Sequence, residues 1–273
     1  MIDINRNIEI MGIVNLTDDS YFADSRCSDY SEAIERVEKL LEEGADIIDV
    51  GACSTRPGSM PVGADKEWER LEPFLKNLVK EFPDIRLSLD TYWASVVRKA
   101  FDVFGEFIVN DISAGQADAS MLATVGELGL TYVAMHMKGT QQTMHNYTDY
   151  VSVTQDVLEY FNKFSVKAAD HGIKKWILDP GFGFSKTIDQ NYQLLRELDK
   201  FHDMKCHDGS AARLLVGVSR KSMIYKKFNI SPEETLAATQ TLHLKALQMG
   251  ADILRVHDVA EARRTVELYR LLE

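Results

Sequence analysis

No apolar run in the 273-residue chain approaches the roughly 20 residues that a bilayer-spanning helix needs. The first fifteen residues, MIDINRNIEIMGIVN, lack a basic stretch followed by an apolar one, so no secretory signal is expected. Cysteine is scarce: Cys27, Cys53 and Cys206, with no C-x-x-C pair. Three scattered cysteines support neither a disulfide framework nor a zinc cluster, and a reducing cytoplasm fits them best. Positive charge is in deficit, 31 Lys and Arg against 42 Asp and Glu, for a net charge of −11. That balance argues against a nucleic-acid partner, which requires a basic surface. An anionic small molecule remains compatible, because a local cationic pocket can sit in an acidic protein. With only six prolines and no Pro/Gly/Ser-rich linker, the chain reads as one domain over residues 1–273.

What is present is alternation. Short apolar, β-branched runs recur eight times: IEIMGIVN (8–15), IIDVGA (47–52), LSLDT (87–91), FIVNDI (107–112), TYVAMH (131–136), WILDPG (176–181), LLVGVSR (214–220) and ILRVHD (253–258). Near-continuous apolar runs of this length suit parallel strands buried on both faces. Between them lie amphipathic stretches. SEAIERVEKLLEEG offers Ser31 as an N-cap, Ile34, Val37 and Leu41 on one face, and Gly44 at the exit. TIDQNYQLLRELDKF reads as another helix. SPEETLAATQTLHLKALQMG enters through Ser231 and Pro232 and leaves at Gly250. The joints EEGADIIDV and QMGADILRV repeat one helix-to-strand connection. Eight such units in about 270 residues predict an α/β fold, the (β/α)8 TIM barrel. An open doubly wound sheet is the second choice, but no G-x-G-x-x-G follows Val14.

Each predicted strand finishes on polar residues: Asn15, the run GACSTRPGS, Asp90, Asn110 with Asp111, His136, Asp179, SRKS (219–222), and Arg255 with His257. In a barrel all these ends meet at the face that carries active sites. Any one of them could simply cap a helix. Eight together are harder to explain so, because buried Asp, Lys, Arg and His are costly without partners. Asp90 and Asp179 are acceptors, and Asn110 can donate or accept. A carboxylate takes two N–H groups side by side, as a flat amino-heterocycle presents them. Arg56, Lys221, Arg255 and His257 are donors suited to a phosphate or carboxylate. Asn15 offers a neutral oxygen to a Mg2+ that bridges phosphates. The arrangement predicts a heterocycle held deep in the mouth and an anion nearer the rim.

These motifs occur together and in order. MGIVNLTDDSYF, DVGACSTRPGS, SLDT, VNDISAG, MHMKGT, LDPGFGFSKT, GVSRKS and LRVHDV resemble the strand-end motifs of the dihydropteroate synthases over nearly the whole chain. The resemblance implies a TIM barrel, usually a homodimer, acting in folate synthesis and targeted by sulfonamides. The family joins 6-hydroxymethyl-7,8-dihydropterin diphosphate to 4-aminobenzoate and releases diphosphate with the help of Mg2+. Carried over residue by residue, it implies that Asp90, Asn110 and Asp179 hold the pterin edge. Lys221 reaches the pterin carbonyl side, and Met135 and Phe184 wall the ring. Asn15, Thr55, Arg56, Arg255 and His257 surround the diphosphate and metal. Pro57 and Ser222, with Phe22, lie near the aminobenzoate. Asp90, Lys221, Arg255 and His257 form the catalytic set, with Asp90 facing a pterin methylene that turns cationic as diphosphate departs. Three positions depart from the family pattern: Asp18 and Gln141, where proline is common, and residues 23–26, where the family has Gly-Gly. Two other classes share the pterin barrel, a non-catalytic or weakly active pterin-binding paralogue and the corrinoid methyltransferases. The latter need no diphosphate site, against which STRPGS, SRKS and RVHD speak together.

Overall fold

Eight parallel strands close into a barrel in chain order: β1 (Glu9–Asn15), β2 (Ile47–Gly51), β3 (Leu87–Asp90), β4 (Ile108–Asp111), β5 (Thr131–Met135), β6 (Trp176–Asp179), β7 (Arg213–Val216) and β8 (Ile253–Val256). The structure is a computed structural model and describes residues 6–16, 30–52 and 63–273. The expectations for Asp18, Phe22, residues 23–26, Cys27, Cys53, Thr55, Arg56 and Pro57 fall outside the described residues.

The outer layer consists of α1 (Tyr30–Glu42), α2 (Ala64–Glu81), α3 (Ala94–Phe104), α4 (Met121–Leu128), α5 (Val153–Asp170), α6 (Ile188–Arg196), α7 (Ser222–Phe228), α8 (Leu236–Gln248) and α9 (Val259–Leu272). Local chemistry explains several boundaries. Thr187 and Gln190 form a reciprocal capping box at the entry of α6, and Ser152 accepts the Gln155 N–H at the entry of α5. Ser231 and Glu234 form another box, which opens a 3-10 turn, Pro232–Thr235, before α8 begins.

Several boundaries differ from the sequence expectation, three of them with a local cause. Ser31 lies inside α1 rather than at its cap, because Tyr30 joins the helix and packs against the Phe74 ring at 6.4 Å between centroids. The TIDQNYQLLRELDKF stretch is not one helix: α6 stops at Arg196 and a 3-10 turn, Leu198–Phe201, follows. The seventh strand ends at Val216 rather than Arg220. There the chain leaves the wall in a turn, with Arg220 at φ 55° and the Lys221 N–H on the Val218 carbonyl.

Side-chain alternation along the strands decides what faces the barrel axis. Met11, Ile47, Ile108, Val133, Ile177, Leu215 and Ile253 make one buried apolar cluster inside the barrel. Below it Glu9 accepts from Arg86 and Arg213 and closes the N-terminal end. Two residues further along the same inward rows stand Asp49, Asn110, Met135, Asp179 and Arg255. A larger apolar cluster fills the space between the strands and the helices. The barrel is thus a packed floor with a polar ring on top of it.

Candidate active site

The polar ring is organised by an acid. Asp49 is fully buried on β2 and accepts from Ser88 Oγ at 2.6 Å, from Asn110 Nδ2 at 3.2 Å to each oxygen, and from Arg255 Nε at 2.7 Å. Arg255 Nη2 reaches both Asp49 at 2.6 Å and Asp90 at 3.0 Å. Because the Asn110 amide nitrogen is committed to Asp49, its oxygen is the atom left for a ligand. The two-way group of the sequence is therefore an acceptor here. Gly51 pairs with Asp90 across the strands, and a Cβ there would stand 3.3 Å from the Asp90 Cβ. The glycine makes room for the acid. Burial pushes the Asp90 carboxyl up to about 7, Arg255 opposes that rise, and the neighbouring acids Asp49, Glu67 and Asp111 reinforce it.

Asp179 ends β6 beside Met135, its register partner on β5. One oxygen accepts the Gly181 N–H at 2.8 Å, leaving the other free to face the mouth. Burial raises its pKa, against the pull of the Gly181 N–H, Lys221, Arg255 and Lys186. Met135 and Phe184 belong to one apolar cluster with Ile112, Met137 and Met144, and Tyr92 packs against it. Lys221 Nζ stands 4.4 Å above the centre of the Phe184 ring, a cation–π arrangement. Burial lowers Lys221 to about 8, helped by Arg255 and opposed by Asp179 and Asp90. It remains mainly charged at neutral pH. Acceptors, an apolar wall and a cation converge where a flat polar heterocycle would lie.

The rim carries the donors. His257, at the end of β8, has Nδ1 3.0 Å from Ser219 Oγ, and its backbone N–H points to the same oxygen at 3.3 Å. Burial first, then Arg255 and Arg220, drives its imidazole down to about 4. His257 is therefore a neutral donor at pH 7. Arg36 on α1 holds the His257 carbonyl at 2.8 Å, and Arg220 pairs with Asp258 through Nε at 3.1 Å and Nη2 at 2.5 Å. Asn15 and His257 both line a cleft of about 430 Å3 together with Arg36, Lys39 and Arg220. This cleft lies at the edge of the mouth, not over its centre. Among the described residues no group of three or more His, Cys, Asp or Glu could hold a metal. Asn15 alone fits a Mg2+ that takes most of its oxygens from phosphates and water.

The structure thus gathers Asp90, Asn110, Met135, Asp179, Phe184, Lys221 and Arg255 around one mouth, with Asn15 and His257 at its edge and Ser222 opening α7 beside Lys221. Two of the strand-end residues take another direction. Asp111 and His136 follow inward-facing neighbours and so point outward. Asp111 accepts from the Tyr132 hydroxyl at 2.6 Å and from Ser113 and Gly115, shaping its own loop. His136 Nδ1 meets Lys186 Nζ at 3.0 Å. The sequence assigns no role to Asp49 and registers Ser219 only as the first residue of SRKS. Asp49 carries a readable signal, an acid two positions after Ile47 in an otherwise apolar strand. Nothing in SRKS marks Ser219 as the partner of His257, 38 residues away.

Comparison with known proteins gives the family. Residues 11–257 match the pterin binding enzyme family, and the chain belongs to it. Within that family its relatives include dihydropteroate synthases. It is 37% identical to the dihydropteroate synthase of Escherichia coli over 97% of this chain and 90% of that protein. It is 39% identical to the folic acid synthesis protein fol1 of Pneumocystis carinii over 92% of this chain, but spans only 34% of that longer protein. A crystal structure of Burkholderia cenocepacia dihydropteroate synthase complexed with 7,8-dihydropteroate superposes with a TM-score of 0.86 at 34% identity, covering 98% of this chain and 92% of that one. The barrel and the family expected from the sequence are both found.

Proposed function

We propose that this chain is a dihydropteroate synthase that joins 6-hydroxymethyl-7,8-dihydropterin diphosphate to 4-aminobenzoate in folate synthesis. The observation that carries the reading is the inward ring of Asp90, Asn110, Asp179 and Lys221, set on an apolar floor and walled by Met135 and Phe184. The free oxygens of Asn110 and Asp179 accept the pterin N–H groups, and Lys221 serves its carbonyl side. Asn15, His257 and Arg255, with Thr55 and Arg56, take the diphosphate; Pro57 and Ser222 border the aminobenzoate.

Aminobenzoate is a weak nucleophile, so the step depends on departure of the diphosphate and stabilisation of the methylene cation left behind. His257 contributes a neutral N–H to the leaving group. Arg255 contributes positive charge while tied to Asp90, the acid nearest the place where cationic character develops. Asn15 would hold a Mg2+, which would supply further charge neutralisation to the diphosphate. No strong base is required of the protein.

The same reading makes the chain a single-domain cytoplasmic homodimer. No helix among the described residues is long and apolar enough to cross a membrane. Leu268, Leu271 and Leu272 on one face of α9 are exposed and give a second copy an apolar surface to cover. The deciding experiment is a coupled diphosphate-release assay with both substrates, with and without Mg2+. Release that requires aminobenzoate supports the synthase. Pterin binding without release assigns the chain to a non-catalytic paralogue.

A further inference from the structure

Lys186 has no place in the chemistry described above, yet it is only 8% exposed. Its Nζ lies 3.0 Å from the Phe184 carbonyl, 3.1 Å from the Gly181 carbonyl, 3.0 Å from His136 Nδ1 and 3.4 Å from the His136 carbonyl. All four partners are uncharged. A buried ammonium held only by neutral acceptors is expensive, and burial lowers this one to about 7. Asp179 attracts it while Lys138 and Lys221 repel it. Its retention calls for a geometric return.

The return lies in the loop between β6 and α6. Gly181 and Gly183 have φ of 71° and 83°, and Ser185, which is not glycine, has φ 46°. A non-glycine residue in the left-handed region is strained and persists only where its surroundings hold it. The loop is pressed onto β5: a Cβ at Gly181 would fall 2.1 Å from the His136 carbonyl oxygen. Lys186 ties both sides of that contact. The peptide whose carbonyl follows the Gly181 N–H is thereby fixed, and that N–H sets Asp179 Oδ1 at 2.8 Å. The Phe184 carbonyl is fixed likewise, and its ring lies under Lys221. On the far side Asn191 Oδ1 accepts the Gly183 N–H at 2.7 Å, so the loop is held from two directions.

We propose that Lys186 is a positioning residue for the pterin half of the site: it fastens the 180–186 loop to the end of β5 and so sets Asp179 and Phe184 against Met135. This rests on the pterin reading of the mouth. His136 is the second member of the device. With the ammonium donating to Nδ1, its imidazole is the neutral tautomer protonated at Nε2, and burial keeps it neutral by lowering its pKa well below the ordinary value.

The test uses the full chain, isothermal titration with the pterin diphosphate and steady-state kinetics with both substrates. Wild-type binding comes first: no pterin binding by wild type would overturn the pterin reading itself and this inference with it. Given wild-type binding, Lys186→Met should weaken pterin affinity by at least about 10-fold, the size expected when hydrogen bonds to a charged group are lost. At saturating pterin, kcat should stay within about 3-fold and the aminobenzoate KM should be unchanged, the split expected when only binding of one substrate is lost. Lys186→Arg should recover part of the loss. In a double-mutant cycle with Asp179→Asn the two losses should fall short of adding, because one residue acts through the other. If Lys186→Met does not fold, Lys186→Gln, with two N–H donors and no charge, takes its place with the same expected split. Unchanged pterin affinity, an equal loss for both substrates, or full additivity with Asp179→Asn would each overturn the assignment.

Discussion

Ser219 Oγ lies 3.0 Å from His257 Nδ1 and 3.3 Å from the His257 backbone nitrogen. The oxygen accepts the backbone N–H and still has one hydrogen and one lone pair to offer Nδ1; donation of that hydrogen leaves the imidazole proton on Nε2. We expect the serine to select in this way which nitrogen His257 presents as a donor. Ser219→Ala should leave the fold intact and lower kcat/KM for the pterin diphosphate by up to about 10-fold, the range of one neutral hydrogen bond. Nitrogen chemical shifts of the imidazole report the tautomer directly. A variant that keeps the wild-type tautomer and rate would refute the selection.

Acid should destabilise the chain in a defined window. His257 and His243 are each lowered to about 4, by burial first in both cases. A group whose folded pKa lies below its unfolded value of about 6.5 is protonated more readily in the unfolded chain. Stability from that group is complete above about 6.5 and is lost as the pH falls toward 4, up to roughly 3 kcal/mol for each imidazole. His243 lies away from the mouth, with Nδ1 on Gln240 Oε1 at 3.1 Å. His243→Leu should make the fall in denaturant stability between pH 6 and 5 shallower by one proton. An unchanged slope would count against neutral burial of this histidine.

Asp179→Asn keeps the size of the side chain but turns one acceptor oxygen into an N–H donor facing the ligand's own N–H. The variant should fold normally, since it removes a buried carboxyl whose pKa burial already raises. Its kcat/KM for the pterin substrate should fall by at least about 10³-fold, as for sites that lose a required pairing. The aminobenzoate KM should change little. Near-wild-type pterin kinetics in a folded variant would remove Asp179 from the pterin contacts.

Arg255 and His257 should separate in calorimetry. His257→Ala removes a rim donor and should weaken pterin diphosphate binding while sparing the pterin that lacks diphosphate. Arg255→Ala leaves Asp49 and Asp90 facing each other without their cation. It should weaken both ligands and cost about 3 kcal/mol of stability, as when one partner of a buried pair is removed. Equal losses for both ligands in His257→Ala would contradict its place beside the diphosphate.

The sequence by itself determined the barrel and the outline of its mouth. Eight apolar runs of strand length, helix-period stretches between them and glycine at the helix exits leave little choice of architecture, because each run must be buried on both faces. The polar residue ending each run was legible too, since an acid such as Asp179 at the end of WILD has no packing use. Direction and partnership were decided only by the tertiary structure. Asn110 and Asp111 are neighbours in sequence, yet strand alternation sends one into the mouth and the other into a loop. The ambiguity of Asn110 ended only when Asp49, 61 residues away, engaged its nitrogen. Lys221 and His257 carry their ordinary pKa values in the sequence. Burial comes first in both, with Arg255 of β8 acting on each, and that burial exists only once the barrel has closed.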